Sequence, residues 1–398
     1  MQDIIPLAKS THFRVQGKKR KHMLVWRCSM SANVGILGAG AWGTALSKVL
    51  AEKGASVDLW SYEGSVAEEI NTLHTNNKYL PEVLLPSIIH ADTDIKAVAL
   101  DKEYLIIAIP SLYILPSVKQ ILSLPNVMEG KSLIGVVTKG FISTPTGPRL
   151  IISTLEDYLP GFYKGNLVYI SGPSHAEEVA RGKLTGLISA SLNGKNSIRF
   201  REFLTSSTLL VFSSFDTIGV QVCAAVKNVI AIAFGMLDAL KELSNFVGDN
   251  TESLLLAAGL NEIQNLGKTL GSTHPETFTS IAGVGDLDVT CRSIYGRNRR
   301  FGREIILKNI LSPYQNIEDL IRHIGEIGYL PEGAVASKAV MELAQEQQLK
   351  MPISQTVFRI LNHEEEPFTL IEELLKTITR STLDGLWASS GEISSDVT

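Results

Sequence analysis

The first strongly patterned stretch is Asn33-Val34-Gly35-Ile36-Leu37, an apolar run that passes straight into Gly38-Ala39-Gly40-Ala41-Trp42-Gly43 and then Thr44-Ala45-Leu46-Ser47-Lys48-Val49-Leu50. That order predicts strand, tight turn and helix. A second strand at Ser56–Trp60 completes a βαβ unit. Further apolar runs at 104–109, 132–137 and 167–170 end in Pro110-Ser111, Thr138-Lys139-Gly140 and Ser171-Gly172-Pro173-Ser174. Short runs without polar alternation are typical of parallel strands buried on both faces. From Gly219 the strand pattern stops: 222–234 is apolar on every helical face, which predicts a buried helix, and 254–270 reads as an amphipathic one. The expected fold is an α/β Rossmann-like N-terminal domain over residues 33–218 and an all-α C-terminal domain over 219–380. The active site is expected in the cleft between them, with a polar tail over 381–398.

The glycine turn has a specific chemical reading. Gly38 permits the tight turn, Gly40 lets the backbone approach a pyrophosphate and Gly43 lets helix and strand pack closely, while free helix N–H groups face the anion. A purely structural glycine turn is the alternative. The residue after the second strand ordinarily separates NAD from NADP, an acid bonding the ribose 2′-hydroxyl and an arginine accepting a 2′-phosphate. Here the chain offers Ser61-Tyr62-Glu63, with Asp58 inside the strand and no arginine nearby, so the cofactor is NAD or NADP. Ligands of open α/β sheets gather at strand carboxyl ends, which makes Lys139 a ligand-facing candidate.

Lys227 stands in the middle of the all-apolar helix with Asn228 beside it and no carboxylate within four residues. Burial disfavours an ammonium and lowers its pKa toward what a general base at neutral pH requires. The competing readings are a lysine that snorkels to the surface or finds a partner on another element. Glycine-flanked Asp286 in Ala282-Gly283-Val284-Gly285-Asp286 is placed to bring a carboxylate to a hydroxyl or to Lys227. Five arginines between residues 292 and 303 offer forked donors for a phosphate and are expected to focus a small anion, unless they form a solvated face. His175 is an alternative proton acceptor, and Cys291 a weaker nucleophile candidate.

Composition narrows the class. Of 398 residues, 44% are hydrophobic and the net charge is −4, which supports a sizeable core and excludes wholesale disorder. Three scattered cysteines supply no disulfide framework and no paired zinc ligands, so no metal is expected and a reducing cytoplasm fits. Apolar runs are too short for a membrane span, and none is expected to insert stably. Residues 1–32 carry seven basic side chains against Asp3 but no secretory apolar core. They read as an unstructured extension, or as a targeting or nucleic-acid arm. The body of the chain is acidic and the arginines lack an aromatic stacking ladder, so nucleic acid is not an expected partner.

Seven motifs in order, GAGAWGTAL, TKG at 138–140, SGPSHAEE at 171–178, AAVKNVIAIA at 224–233, IAGVGDLDVTC at 281–291, GRNRRFG at 296–302 and PEG at 331–333, closely resemble the bacterial NAD(P)-dependent glycerol-3-phosphate dehydrogenases over about residues 33–380. The resemblance implies a helical domain like that of 6-phosphogluconate dehydrogenase. It implies interconversion of dihydroxyacetone phosphate and sn-glycerol 3-phosphate, supplying phospholipid synthesis. Lys227 matches the proton acceptor, with Lys139, Gly172, Ser174, Asp286, Gly296, Arg297 and Asn298 around the substrate and Asn228 and Thr290 close by. On the cofactor side the resemblance adds Ala41, Trp42, Tyr62, Ala176 and Glu332 to the glycine turn, with Lys139 and Arg297 facing both ligands. A homodimer is the family precedent. Three departures are visible: residues 238–250 look longer and poorer in glycine than the family's flexible loop, Ala257-Ala258 stand where a Thr-Arg pair is common, and Ala41 replaces a commonly hydroxylated residue of the phosphate turn. A ketopantoate-type dehydrogenase and a non-catalytic dinucleotide sensor are the competing functions.

Overall fold

The computed structural model describes residues 32–388, with side chains described to residue 377. The basic segment up to residue 31 and residues 389–398 lie outside the described residues. The strands are β1 (Asn33–Leu37), β2 (Ser56–Trp60), β3 (Ile89–Asp92), β4 (Tyr104–Ile107), β5 (Leu133–Val136), β6 (Phe141–Thr144), β7 (Gly147–Leu150), β8 (Val168–Ser171), β9 (Thr185–Ala190) and β10 (Leu209–Ser214). Eight of them form one sheet in the order β10-β9-β8-β5-β4-β1-β2-β3. Neighbours are parallel except β8 and β9, which pair antiparallel. β6 and β7 make a separate antiparallel hairpin just after Lys139-Gly140.

The central strands formed where the apolar runs predicted them. Val34, Ile36, Ile106 and Val136 are fully buried because helices cover both faces of the sheet. The strands that were not predicted are mostly marginal ones. β3 and β10 are the two edges, and His90, Leu210 and Phe212 remain exposed there, so the sequence shows no continuous apolar run. β9 mixes small and polar residues, and the hairpin contains Gly147-Pro148, which reads as loop.

The chain leaves β1 toward β2 and β3 on one side, then returns to β4 and β5 on the other, so the sheet order switches between β1 and β4. A crevice opens at the carboxyl ends of such a pair. The glycine turn sits there, with the Gly38 N–H donating to the Trp60 carbonyl at 3.1 Å. A Cβ on Gly43 would lie 1.9 Å from the Gly38 carbonyl oxygen, whereas one on Gly40 would meet nothing within 4 Å. The outer two glycines, Gly38 and Gly43, are thus fixed by packing, whereas Gly40 between them faces open space.

The helical half is organised around one long helix, Thr217–Leu243, capped by Asp216, whose carboxylate accepts from the Gly219 N–H at 2.8 Å and the Ser272 hydroxyl at 2.7 Å. By length and composition this helix could span a bilayer, but its whole apolar window is buried in protein. Helices Asp249–Thr269, Asp286–Arg292, Arg297–Lys308 and Glu332–Glu346 wrap it. The crossing with Arg297–Lys308 is backbone to backbone: a Cβ on Gly302 would sit 2.0 Å from the Ile232 carbonyl oxygen. Residues 238–250 do not form a long loop. The helix runs through Leu243 and the next begins at Asp249, because Asp238 and Glu242 are held by arginines of the crossing helix. The last helix, Pro367–Ala388, continues past residue 380, where the sequence placed the start of the tail.

Glu262 shows how this core is tied. It is buried, and its carboxylate accepts from the Ile353 N–H at 2.5 Å and from the Ser354 N–H and hydroxyl at 3.1 and 2.8 Å, capping helix Pro352–Leu361. Burial pushes its pKa up from 4.5 to about 7, against those hydrogen bonds. The folded state therefore keeps a proton that the unfolded chain releases, and this group's contribution to stability falls as pH rises from 4.5 to about 7. Glu262→Ala is expected to lower the unfolding free energy by about 2–4 kcal/mol in urea melts, through orphaned helix N–H groups and a void. A loss below about 1 kcal/mol would show that the cap is dispensable.

Candidate active site

Lys227 lies in the middle of the long helix and is buried, at 5% exposure. Its partner comes from 59 residues further on: Nζ donates to Asp286 Oδ1 at 2.5 Å and to the Thr290 hydroxyl at 2.7 Å, and that hydroxyl donates in turn to the Asp286 carbonyl at 2.6 Å. What delivers Asp286 is a wide π-turn at Ile281–Gly285 that runs directly into helix Asp286–Arg292. Position 283 in that turn admits only glycine, since a Cβ there would lie 2.0 Å from the Phe278 carbonyl oxygen.

Asp286 is fully buried and also serves the sheet side of the cleft. Lys139, just beyond β5, donates to its Oδ2 at 3.0 Å and to the Gly172 carbonyl at 3.4 Å, and Ser171 at the end of β8 donates to the same carboxylate at 3.3 Å. One carboxylate thus joins two ammonium groups, leaving an excess of one positive charge in a low-dielectric site. Burial lowers the Lys227 pKa below its ordinary 10.5; Asp286 opposes this and Lys139 reinforces it. Burial alone would raise the Asp286 pKa, but Lys139 and Lys227 outweigh it and hold the carboxyl below the usual range. The result is a lysine that is easily deprotonated and a carboxylate that stays ionised.

The remaining predicted residues fall into two groups. Asn228, 4% exposed, has a buried side-chain N–H without a partner, and such a donor is expected to find one in a ligand. Gly172 adopts a φ of 138°, and Ser174 donates back to its carbonyl at 3.0 Å. Gly296 caps helix Arg297–Lys308, and Asn298 spends its carbonyl oxygen on the Gly333 N–H at 2.9 Å, next to Glu332. Arg297 is exposed and has no ion pair among the described residues, and neither has Glu332. On the dinucleotide side, Ala41 and Trp42 open the first helix, Ala176 starts the short helix after β8, and Tyr62 is 87% exposed.

The arginine cluster is corrected by the structure. Arg299 and Arg303 share Asp238, and Arg303 also reaches Glu242. Arg300 pairs with Glu304 and lies over the Tyr329 ring, while Arg292 pairs with Asp288. Arg299 and Arg303 fasten helix Arg297–Lys308 to the long helix and Arg300 stacks on Tyr329, whereas Arg292 ends the preceding helix and pairs within it; of the five, Arg297 alone has no ion pair among the described residues. Ser171 reads in the sequence only as part of a strand end, and its hydroxyl reaches Asp286 through the fold alone. His175, the alternative proton acceptor, has its Nε2 facing the Val289 carbonyl at 3.4 Å, and burial together with the nearby Lys227 lowers its pKa. The Cys291 thiol is fully buried and pushed up by desolvation, which makes it inert.

Two family models match in sequence order: the N-terminus of NAD-dependent glycerol-3-phosphate dehydrogenase over residues 33–197, and its C-terminus over residues 216–372. The chain belongs to this family. A glycerol-3-phosphate dehydrogenase [NAD(P)+] of Treponema denticola is 55% identical over 357 residues, covering 88% of this chain and all of the relative. That of Enterococcus faecalis is 34% identical over 359 residues, covering 89% and 100%. The crystal structure of the Coxiella burnetii glycerol-3-phosphate dehydrogenase superposes with a TM-score of 0.74 at 34% identity, covering 86% of this chain and 98% of that one. Membership makes the chain an NAD(P)-dependent oxidoreductase. The glycine turn accords with it, since the space at Gly40 and the uncapped helix start suit a pyrophosphate.

Proposed function

We propose that this chain interconverts dihydroxyacetone phosphate and sn-glycerol 3-phosphate, with Lys227 carrying the proton. The observation that carries the reading is the buried Lys227-Asp286-Lys139 cluster, which adjoins the unpartnered Asn228 amide. A nicotinamide dinucleotide, when bound at the glycine turn, supplies the hydride acceptor or donor. In oxidation, the neutral Lys227 amine takes the C2 hydroxyl proton as hydride leaves C2 and the C2–O bond becomes a carbonyl. In reduction, the Lys227 ammonium polarises that carbonyl and returns the proton.

Asp286 and Thr290 hold the Lys227 nitrogen in place through both protonation states. Lys139 adds fixed positive charge beside the developing alkoxide, and the excess charge of the cluster favours an anionic substrate. Arg297, with Asn298 and the backbone at Gly296, is assigned to the phosphate. That binding energy, remote from the reacting carbon, holds it in position. Gly172 and Ser174 complete the substrate wall, and Glu332 faces the cofactor. The product serves phospholipid synthesis in the cytoplasm, and the buried free thiols Cys223 and Cys291 suit such a reducing compartment. Following the family precedent, we assign a homodimer.

The test is oxidation of NADH and NADPH, separately, with dihydroxyacetone phosphate or ketopantoate as acceptor. Turnover with dihydroxyacetone phosphate and about 100-fold less with ketopantoate is expected, because ketopantoate offers no phosphate to Arg297. The reverse preference would move the assignment to the ketopantoate class. Cofactor binding without turnover would favour a sensor.

A further inference from the structure

The adenosine end of the dinucleotide crevice is built differently from either common pattern. No arginine occurs between Arg27 and Arg149, and the acid inside β2, Asp58, is engaged by Lys102. Ser61, directly after β2, is buried, and its hydroxyl is tied to the Glu63 backbone at 2.9 and 3.2 Å. Glu63 caps the next helix, and both of its carboxylate oxygens are taken, one by Tyr79 and the other by Lys78. Lys78 is not on a loose surface loop. Two residues earlier, Asn76 is fully buried and donates to the Ala39 carbonyl of the glycine turn at 2.9 Å and to Thr44 at 2.8 Å. The segment that carries Lys78 is thus anchored on the glycine turn, and its ammonium is paired just after β2, at the end of the crevice that takes the adenosine ribose of a bound dinucleotide.

We propose that Lys78 is the group that receives the 2′-phosphate of NADP in this chain, with Glu63 receiving the ribose 2′-hydroxyl of NAD. The proposal rests on the dinucleotide-binding reading above and deepens it. The Lys78 and Glu63 side chains are 55% and 30% exposed, so their mutual ion pair is weak and exchangeable. A 2′-phosphate carries more charge than the carboxylate it displaces and takes the ammonium from it. A 2′-hydroxyl leaves the ion pair in place and donates to Glu63. The pair thus lets one site accept both cofactors without an arginine, with Glu63 opposing the phosphate that Lys78 attracts.

The experiment is equilibrium binding of NAD+ and NADP+ by calorimetry to the full chain, the ratio of the two dissociation constants being the readout. Lys78→Gln is expected to raise the NADP+ to NAD+ ratio about tenfold, and Glu63→Gln to lower it by a similar factor. Lys78→Arg, which keeps the charge, should leave the ratio near that of the parent chain. A ratio that stays within about twofold in both glutamine variants, while NAD+ still binds, overturns the assignment and leaves the dinucleotide site standing. Failure of the parent chain to bind either dinucleotide overturns both.

Discussion

Lys227→Ala is expected to lower kcat for dihydroxyacetone phosphate reduction by about 10²–10⁴-fold, with NADH binding preserved. Loss of folding is not the expected cause. With Lys227 removed, Asp286 keeps Lys139 at 3.0 Å and Ser171 at 3.3 Å, so no buried carboxylate is stranded. The methylene stem is replaced by a void inside an otherwise apolar helix packing, costing stability but leaving the carboxylate paired. Lys227→Arg separates charge from proton transfer. A guanidinium keeps a positive charge near Asp286 but does not release its proton in the accessible pH range, so glycerol 3-phosphate oxidation should remain abolished. Stopped-flow turnover together with fluorescence titration of NADH reads both quantities. Retention of more than a tenth of the parent kcat in Lys227→Ala would remove the lysine from the chemical step.

The second large effect is expected at Asp286. Asp286→Asn leaves the Lys139 and Lys227 ammonium groups facing each other in a buried site without their counterion. Removing one partner of a buried ion pair costs about 3–5 kcal/mol while the other stays charged, so this variant should unfold at clearly lower urea concentration in mildly acidic buffer. The sign of its pH dependence follows from Lys227. Asp286 holds the Lys227 pKa up against burial, so its loss lowers that pKa further. A lysine whose folded pKa lies below its unfolded 10.5 binds fewer protons when folded, and stability then rises with pH between those two values. The deficit of Asp286→Asn should be greatest in mildly acidic buffer and shrink toward about pH 9. A deficit that is constant with pH would mean that Asp286 acts through packing and hydrogen bonding, not as the counterion.

Much of this site was legible in the sequence because its residues break local rules. A lysine inside an all-apolar helix and an aspartate set among glycines are conflicts that folding tolerates only where they find each other. The geometry of their meeting was not legible, since it depends on the π-turn at Ile281–Gly285, a backbone device with no side-chain period. The arginines misled for a related reason: Asp238 and Glu242, which hold Arg299 and Arg303, lie about sixty residues away and read as part of a loop. The same misreading lengthened that loop. Among the strands, those buried on both faces announced themselves as apolar runs, whereas β3 and β10, half-exposed at the sheet edges, carried too few core positions to stand out. Lys78 and Glu63 are separated by a helix and a turn, and only the fold brings them together.

The protonation of Lys227 underlies the whole account, and the most direct measurement of it is the pH profile of kcat/KM for glycerol 3-phosphate oxidation, in the parent chain and in Lys139→Gln. Oxidation needs the neutral amine, so the rate should rise with pH along a limb whose midpoint lies well below 10.5. The ionisable groups around Lys227 are Asp286, Lys139, His175, Cys223 and Cys291. Of these, Lys139 lowers the Lys227 pKa. Its replacement by neutral glutamine should therefore move the limb to higher pH, in addition to any fall in maximal rate. A limb that stays where it was in Lys139→Gln would contradict Lys227 as the group that takes the proton.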